Sequence, residues 1–342
     1  MNTVDILRAV CGAPGVSGAE RSTAAVIEKM LRQYTDDVRT DALGNLIGTV
    51  NPGKEKTLVL TAHMDKIGLA VTGIDEKSGF LRIARCGGTD IRVMAAARVK
   101  VYGKRTLDGV IISTPPHLAD KSKQNQAVPI DRLAIDCGLP CGKIREIVSV
   151  GDRAELRLPF TELAGGKVTS PFLDNSAGCA AVLKAVEKLA GQDCPYTVYA
   201  VFATREEVGK QGAKTALFGI RPDEALVTDV SFAAAPGVPE ESSARQGSGV
   251  MIGVSPILQK DVSDALIALA EKKQIPYTVE VLGRSTGTDA DVAVTTGAGV
   301  KTGLLSIPLK NMHTAVEMAQ ISDIEAVADL MAAYAAGGES SD

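Results

Sequence analysis

The apolar run Tyr196–Ala203 stops at Thr204-Arg205-Glu206-Glu207 and leaves two adjacent carboxylates at the end of a predicted strand. Neighbouring side chains of an extended chain point to opposite sides. The pair is therefore poorly arranged to share one atom and well arranged to divide two tasks, one acid on a metal ion and the other on a proton; the alternative is a solvated turn. The chain has three histidines, His63, His117 and His313. His63 follows the strand-like run 57–62 and stands two residues before Asp65, on the same side of an extended segment. An Asp there can hydrogen-bond the far ring nitrogen and present the other nitrogen to a metal. His313 lies beyond the run 303–307. Asp229 closes the run 225–228, and Asp174-Asn175 opens a helical segment, where an Asp can cap the helix or bridge two cations.

Taken together, His63, Asp174, Glu207, Asp229 and His313 are five ligands at strand ends or strand-to-helix junctions, with Glu206 as a further acid. Five protein ligands with one shared carboxylate suffice for two divalent ions. A mixed imidazole and carboxylate set suits zinc, cobalt or manganese better than magnesium or calcium, which prefer oxygen shells. Two such ions roughly 3.5–4 Å apart can grip one water, lower its pKa and polarise a carbonyl.

The elements that must position these residues follow from periodicity. Helices are predicted over 2–10 and 18–34, the second with Ser17 and Glu20 at capping-box spacing. The run 57–62 has the texture of a buried parallel strand. From Leu69 to Leu163 come short β-rich pieces, 80–84, 98–102 and 109–113, separated by Gly, Pro and Asp, which points to a small β-rich module inserted into a larger fold. Alternation then resumes, with helices over 176–189, 262–273 and 324–336 and strands over 196–203, 225–229, 277–282 and 303–307. This is the pattern of an α/β domain with helices on both faces of a sheet, in which ligands gather beyond strand ends. The expected division is a discontinuous catalytic domain, 1–68 and 164–342, with an inserted domain over 69–163. The tail from Gly337 is polar and expected to fray.

Composition sets the remaining bounds. A length of 342 residues, 45% hydrophobic and 23% charged content describe a globular chain of about two domains. A net charge of −4 argues against a general nucleic-acid or anionic-membrane surface, and no stretch reads as a membrane span or leader, so a cytoplasmic location is expected. The six cysteines, Cys11, Cys86, Cys137, Cys141, Cys179 and Cys194, are dispersed. Reduced, structural thiols are expected, because no second pair or neighbouring histidine completes a zinc site around Cys137 and Cys141.

The sequence resembles the glutamyl/deblocking aminopeptidase family, cocatalytic di-metal peptidases that include proteins labelled cellulase M. The segments that carry the resemblance are 62–68, 173–178, 206–213, 228–230, 287–291 and 307–317, so it covers almost the whole chain. It implies a di-metal exopeptidase-type catalytic domain, a central mixed sheet with helices on both faces, and an inserted β-rich dimerisation domain that carries His117 as a structural residue. It further implies that Asp174 bridges two ions, that His63 and Asp229 complete one site and Glu207 and His313 the other, that Asp65 orients His63, and that Glu206 is the general base. The activity implied is removal of residues from the free N-terminus of peptides, in a homo-oligomer of up to twelve subunits. Ser176 stands where many relatives carry Arg, and Arg205 where Gln is frequent. Loops 232–245 and 282–288 are expected to shape the substrate pocket. Two other readings are glycoside hydrolysis by the paired carboxylates, disfavoured by the absence of Trp and 4% aromatic content, and a catalytically silent scaffold of the same fold.

Overall fold

The computed structural model describes residues 1–115, 117–118 and 126–337; residues 338–342 of the predicted frayed tail lie outside them. Eight helices are found among the described residues: α1 (Thr3–Gly12), α2 (Arg21–Leu31), α3 (Cys141–Ile147), α4 (Leu173–Leu189), α5 (Gln211–Ile220), α6 (Lys260–Lys273), α7 (Ala290–Ala293) and α8 (Ile321–Ala335). The first strands are β1 (Val38–Thr40), β2 (Leu46–Val50) and β3 (Lys56–His63). A closed barrel follows from β4 (Gly68–Ile74), β5 (Leu81–Cys86), β6 (Arg98–Tyr102), β7 (Thr106–Ile112), β8 (Ala134–Asp136) and β9 (Arg153–Leu156), in the order β4-β5-β8-β7-β6-β9. The chain then returns through β10 (Thr161–Leu163), β11 (Lys167–Ser170), β12 (Tyr196–Ala203), β13 (Glu224–Phe232), β14 (Val250–Val254), β15 (Tyr277–Val281), β16 (Lys301–Lys310) and β17 (Glu317–Gln320). β10 pairs with β11 in the large sheet, so the barrel itself ends at Leu156.

The large sheet has eleven strands, ordered β1-β2-β12-β3-β13-β16-β17-β11-β10, with β14 on β16 and β15 on β14. Its centre is parallel: β12 pairs with β3, β3 with β13 and β13 with β16. These strands are buried on both faces, which is why they read as continuous apolar runs. Their register aligns the ends, with Ala203 opposite His63 and Asp229 opposite Ser306. His63, the segment after Ala203, Asp229 and the segment after Lys310 thereby meet at the carboxyl ends of the central strands. α4 lies against that core through Ala177, Gly178, Ala180 and Ala181, whose small side chains permit a close approach.

A buried polar seam joins the barrel to the rest. Glu155 on β9 accepts the Gly15 N–H at 2.7 Å and the Tyr102 hydroxyl at 2.7 Å. Lys66, 1% exposed, donates from Nζ to the carbonyls of Val10, Cys11 and Ala13 at the last turn and C-cap of α1, where carbonyls run short of helical N–H partners.

Two local expectations are corrected, and one of the two alternatives for Asp174 falls away. The Ser17 and Glu20 capping box does not form: α2 starts at Arg21 without a side-chain cap, because the Ser17 hydroxyl is drawn to Asp65 and Glu20 accepts the Gly18 N–H. Asp229 does not end its strand, since β13 continues to Phe232 through its pairing with β16. Asn175 rather than Asp174 caps α4, its Oδ1 accepting the Gly178 N–H at 2.9 Å.

Candidate metal centre

His63 ends β3, and its Nδ1 faces the Asp65 main-chain carbonyl at 3.1 Å, with Asp65 Oδ1 farther away at 3.5 Å. A hydrogen on Nδ1 satisfies that carbonyl and directs Nε2 inward, toward the acids. Nε2 lies 3.2 Å from Asp174 Oδ1 and 3.6 Å from Asp229 Oδ1. His313 repeats the arrangement from the loop after β16. Its Nδ1 faces the Gly88 carbonyl at 3.3 Å, and its Nε2 is 3.2 Å from Asp174 Oδ2 and 3.3 Å from Glu207 Oε1. Two ligand groups result, His63-Asp174-Asp229 and Asp174-Glu207-His313, each with its ligand atoms within 4.8 Å of one another. Asp174 belongs to both and turns one oxygen to each.

The backbone explains why these atoms converge. Asp174 and Asn175 leave helical geometry at the start of α4, and Asn175 Nδ2 donates to the Thr228 carbonyl at 2.9 Å, tying the helix start to β13 beside Asp229. Glu206 and Glu207 occupy a tight turn rather than an extended strand end, because Arg205 takes a left-handed φ of 60°. The turn is not solvated: the two side chains are 10% and 5% exposed. Asp65, fully buried, fastens it. Its Oδ1 accepts the Glu206 N–H at 2.9 Å, and its Oδ2 accepts the Glu207 N–H at 3.2 Å and the Ser17 hydroxyl at 2.6 Å. Asp65 thus holds both acids by the backbone while its own carbonyl orients His63.

The electrostatics reflect crowded acids. Burial would raise the Asp174 carboxyl, but hydrogen bonds from His313 and His63 hold it well below the usual range. The hydrogen bonds that His313 gives to Asp174 and Glu207 lift its own imidazole to about 11. Burial would lower His63, yet the Asp229 charge and the nearness of the Asp174, Asp229 and Asp65 carboxylates push it well up. Burial carries Glu206 to about 9, with the charges of Asp229, Asp289 and Glu207 adding and His63 opposing. Asp65, Asp174, Asp229, Asp289 and Glu317 are each 6% exposed or less. So many buried carboxylates around two imidazoles require positive charge, and an imidazole with hard oxygen donors fits a divalent transition ion or zinc. The residues therefore fit two such ions.

Side chains beyond the predicted set also belong here. Glu317 accepts from the main chains of Asp174 and His313, Lys210 stands 4.0 Å from Glu206 Oε1 and 2.7 Å from Asp291 Oδ2, and Asp289 is buried with neither oxygen hydrogen-bonded. All three lie in the sequence segments that carry the family resemblance, which was the available signal. A cavity of about 530 Å³ opens on the ligands and Glu206, walled by Phe232, Ser242, Leu282 and Thr288 from the two expected loops. His117 sits on an exposed turn, the cysteines are unpaired, and no described helix is long and apolar enough to cross a membrane.

Comparison with known proteins agrees over nearly the full length. A family model for the M42 glutamyl aminopeptidases matches residues 44–330. The chain is 35% identical to a putative aminopeptidase of Acetivibrio thermocellus, covering 96% of each chain. It is 32% identical to the lysyl aminopeptidase of Pyrococcus furiosus, covering 94% of this chain and 93% of the relative. Among solved structures, the TET1 peptidase of Pyrococcus horikoshii, described as able to assemble into a tetrahedron or a large octahedral shell, superposes with a TM-score of 0.88 at 32% identity, covering 98% of this chain and all of the other. The chain belongs to the M42 glutamyl aminopeptidase family and is an enzyme of the aminopeptidase class, a hydrolase of peptide bonds.

Proposed function

We propose that the enzyme removes residues from the free N-terminus of peptides using two divalent ions, with His63 and Asp229 holding one, Glu207 and His313 the other, and Asp174 shared between them. The observation that carries this reading is the split of the Asp174 carboxylate, Oδ1 toward His63 and Oδ2 toward His313. When bound, the ions supply Lewis-acid polarisation of the scissile carbonyl and acidify the attacking water. Glu206 lines the same cavity; it takes a proton from that water and returns it to the departing amine, the work of a positioned general base and acid. Its carboxyl is high without ions because it lies buried among acids, and nearby cations lower it toward neutrality. Asp65 keeps Glu206 and Glu207 in place through their N–H groups.

The reading extends to organisation. The residues assigned to the catalytic domain, 1–68 and 164–342, supply the ligands, and the barrel is the contact between subunits in a shell like that of the archaeal relative. Exposed Val93, Val110 and Leu158 beside the barrel support such a contact. Zinc or cobalt suits the donor set, with manganese next. The test is to strip the protein with a chelator, restore Zn²⁺, Co²⁺ or Mn²⁺ singly, and assay aminoacyl anilides across side-chain types. Activity lost on stripping and regained near two ions per chain is expected. Full activity in metal-free protein contradicts the reading.

A further inference from the structure

Glu317 opens β17 and is 1% exposed. Its two oxygens accept hydrogen bonds from the main chains of two ligands. Oε2 accepts the Asp174 N–H at 3.0 Å, and Oε1 accepts the His313 N–H at 2.8 Å. These residues come from distant parts of the chain, the distorted start of α4 and the loop after β16. His313 adopts a left-handed φ of 63°, a conformation that a non-glycine residue keeps only when its surroundings hold it. The two residues so held also face each other, His313 Nε2 lying 3.2 Å from Asp174 Oδ2.

We infer that Glu317 is a positioning residue that clamps the shared ligand and the second imidazole from behind, setting the distance between them before an ion arrives. Only a carboxylate does this. Each of its oxygens accepts one N–H, whereas a glutamine presents one acceptor and one NH₂ donor, so one buried N–H must face another donor. The consequence falls on the site built from Asp174, Glu207 and His313. Groups that orient metal ligands in this way change affinity by about ten- to a hundredfold when removed. The inference rests on the two-ion reading.

The test is Glu317→Gln, with metal binding followed by calorimetric titration of Zn²⁺ into stripped protein and by ion content after dialysis against a graded chelator. One of two binding steps is expected to weaken by about ten- to a hundredfold, so that the variant retains one ion at a chelator level where the unaltered protein retains two. Glu317→Asp keeps the charge but is one methylene short of reaching both N–H groups; it is expected to weaken the same step and serves if the Gln variant does not fold. Val168→Ala is the structural control, a core truncation on β11, the strand paired with β17. Two unchanged steps in Glu317→Gln, or an equal loss of the ion in Val168→Ala at matched melting temperature, overturns the inference. An unaltered protein that binds no ions overturns the two-ion reading as well.

Discussion

Replacing Asp65 with asparagine probes the most connected group of the site. The side chain is fully buried and accepts three hydrogen bonds, from Glu206 N–H at 2.9 Å, Glu207 N–H at 3.2 Å and Ser17 hydroxyl at 2.6 Å. Asparagine keeps one acceptor oxygen and turns an NH₂ toward the other donors. At least one backbone N–H of the Glu206-Glu207 turn is left facing it. A hydrogen bond to a charged acceptor contributes about 1.5–3 kcal/mol, and about 1.4 kcal/mol is a factor of ten, so the expected loss is roughly ten- to a hundredfold. The loss should appear in kcat, because Glu206 moves relative to the attacking water, and in affinity for the ion held by Glu207. Ser17→Ala removes only the hydroxyl bond, leaves both N–H groups of the turn on the carboxylate, and is expected to cost less in kcat than Asp65→Asn. The assay is steady-state hydrolysis of an aminoacyl anilide with ion content measured on the same samples. An Asp65→Asn enzyme with unaltered kcat and two retained ions refutes the reasoning, since the turn would then hold its geometry without its anchor.

Two further outcomes follow from the same geometry. Gly88→Ala places a Cβ 2.5 Å from His313 Nδ1 and 2.8 Å from its Cε1, so the ring must move; loss of one ion and at least a tenfold fall in kcat/KM are expected by analogy with other changes to groups that orient metal ligands, and an enzyme that keeps both ions contradicts the placement of the ring. The metal-free protein should lose stability as pH rises. Glu206, raised from 4.5 to about 9, and His313, raised from 6.5 to about 11, both bind protons more tightly folded than unfolded. The folded state is therefore favoured below the unfolded values and loses that advantage through this window. Melting temperature measured in chelator should fall between about pH 5 and 9, and restoring ions should flatten the curve, because they replace the protons. A metal-free melting temperature that rises over this range contradicts the assignment.

Part of this arrangement was legible in the sequence because the core strands are buried on both faces and β3 and β12 run directly into ionisable segments. The run Tyr196–Ala203 and its two acids, and the run leading into His63, are visible as abrupt changes from apolar to ionisable residues. What the sequence did not show were contacts whose partners are main-chain atoms. Asp65 was expected to bond the His63 ring through its carboxylate, whereas the nearer acceptor is its carbonyl and the carboxylate is spent on the next turn. Backbone acceptors leave no trace in residue type. The same holds for Asp229, where an acid was taken as the end of a strand that its neighbour β16 prolongs, and for Ser17 and Glu20, where a local capping pattern lost to a tertiary hydrogen bond. Glu317 stood in view, four residues after His313, yet only the fold reveals that its carboxylate reaches back to α4.

The division of labour between the adjacent acids is the centre of the account, and Glu206→Gln tests it most directly. The variant keeps the shape and the N–H groups that Asp65 holds, and it removes the proton acceptor alone. Measured together, kcat on an aminoacyl anilide and ions per chain should show a fall of roughly 10²–10⁴-fold with two ions still bound. A near-normal rate with both ions present, or loss of an ion on removing a residue that is assigned no ligand role, contradicts the account.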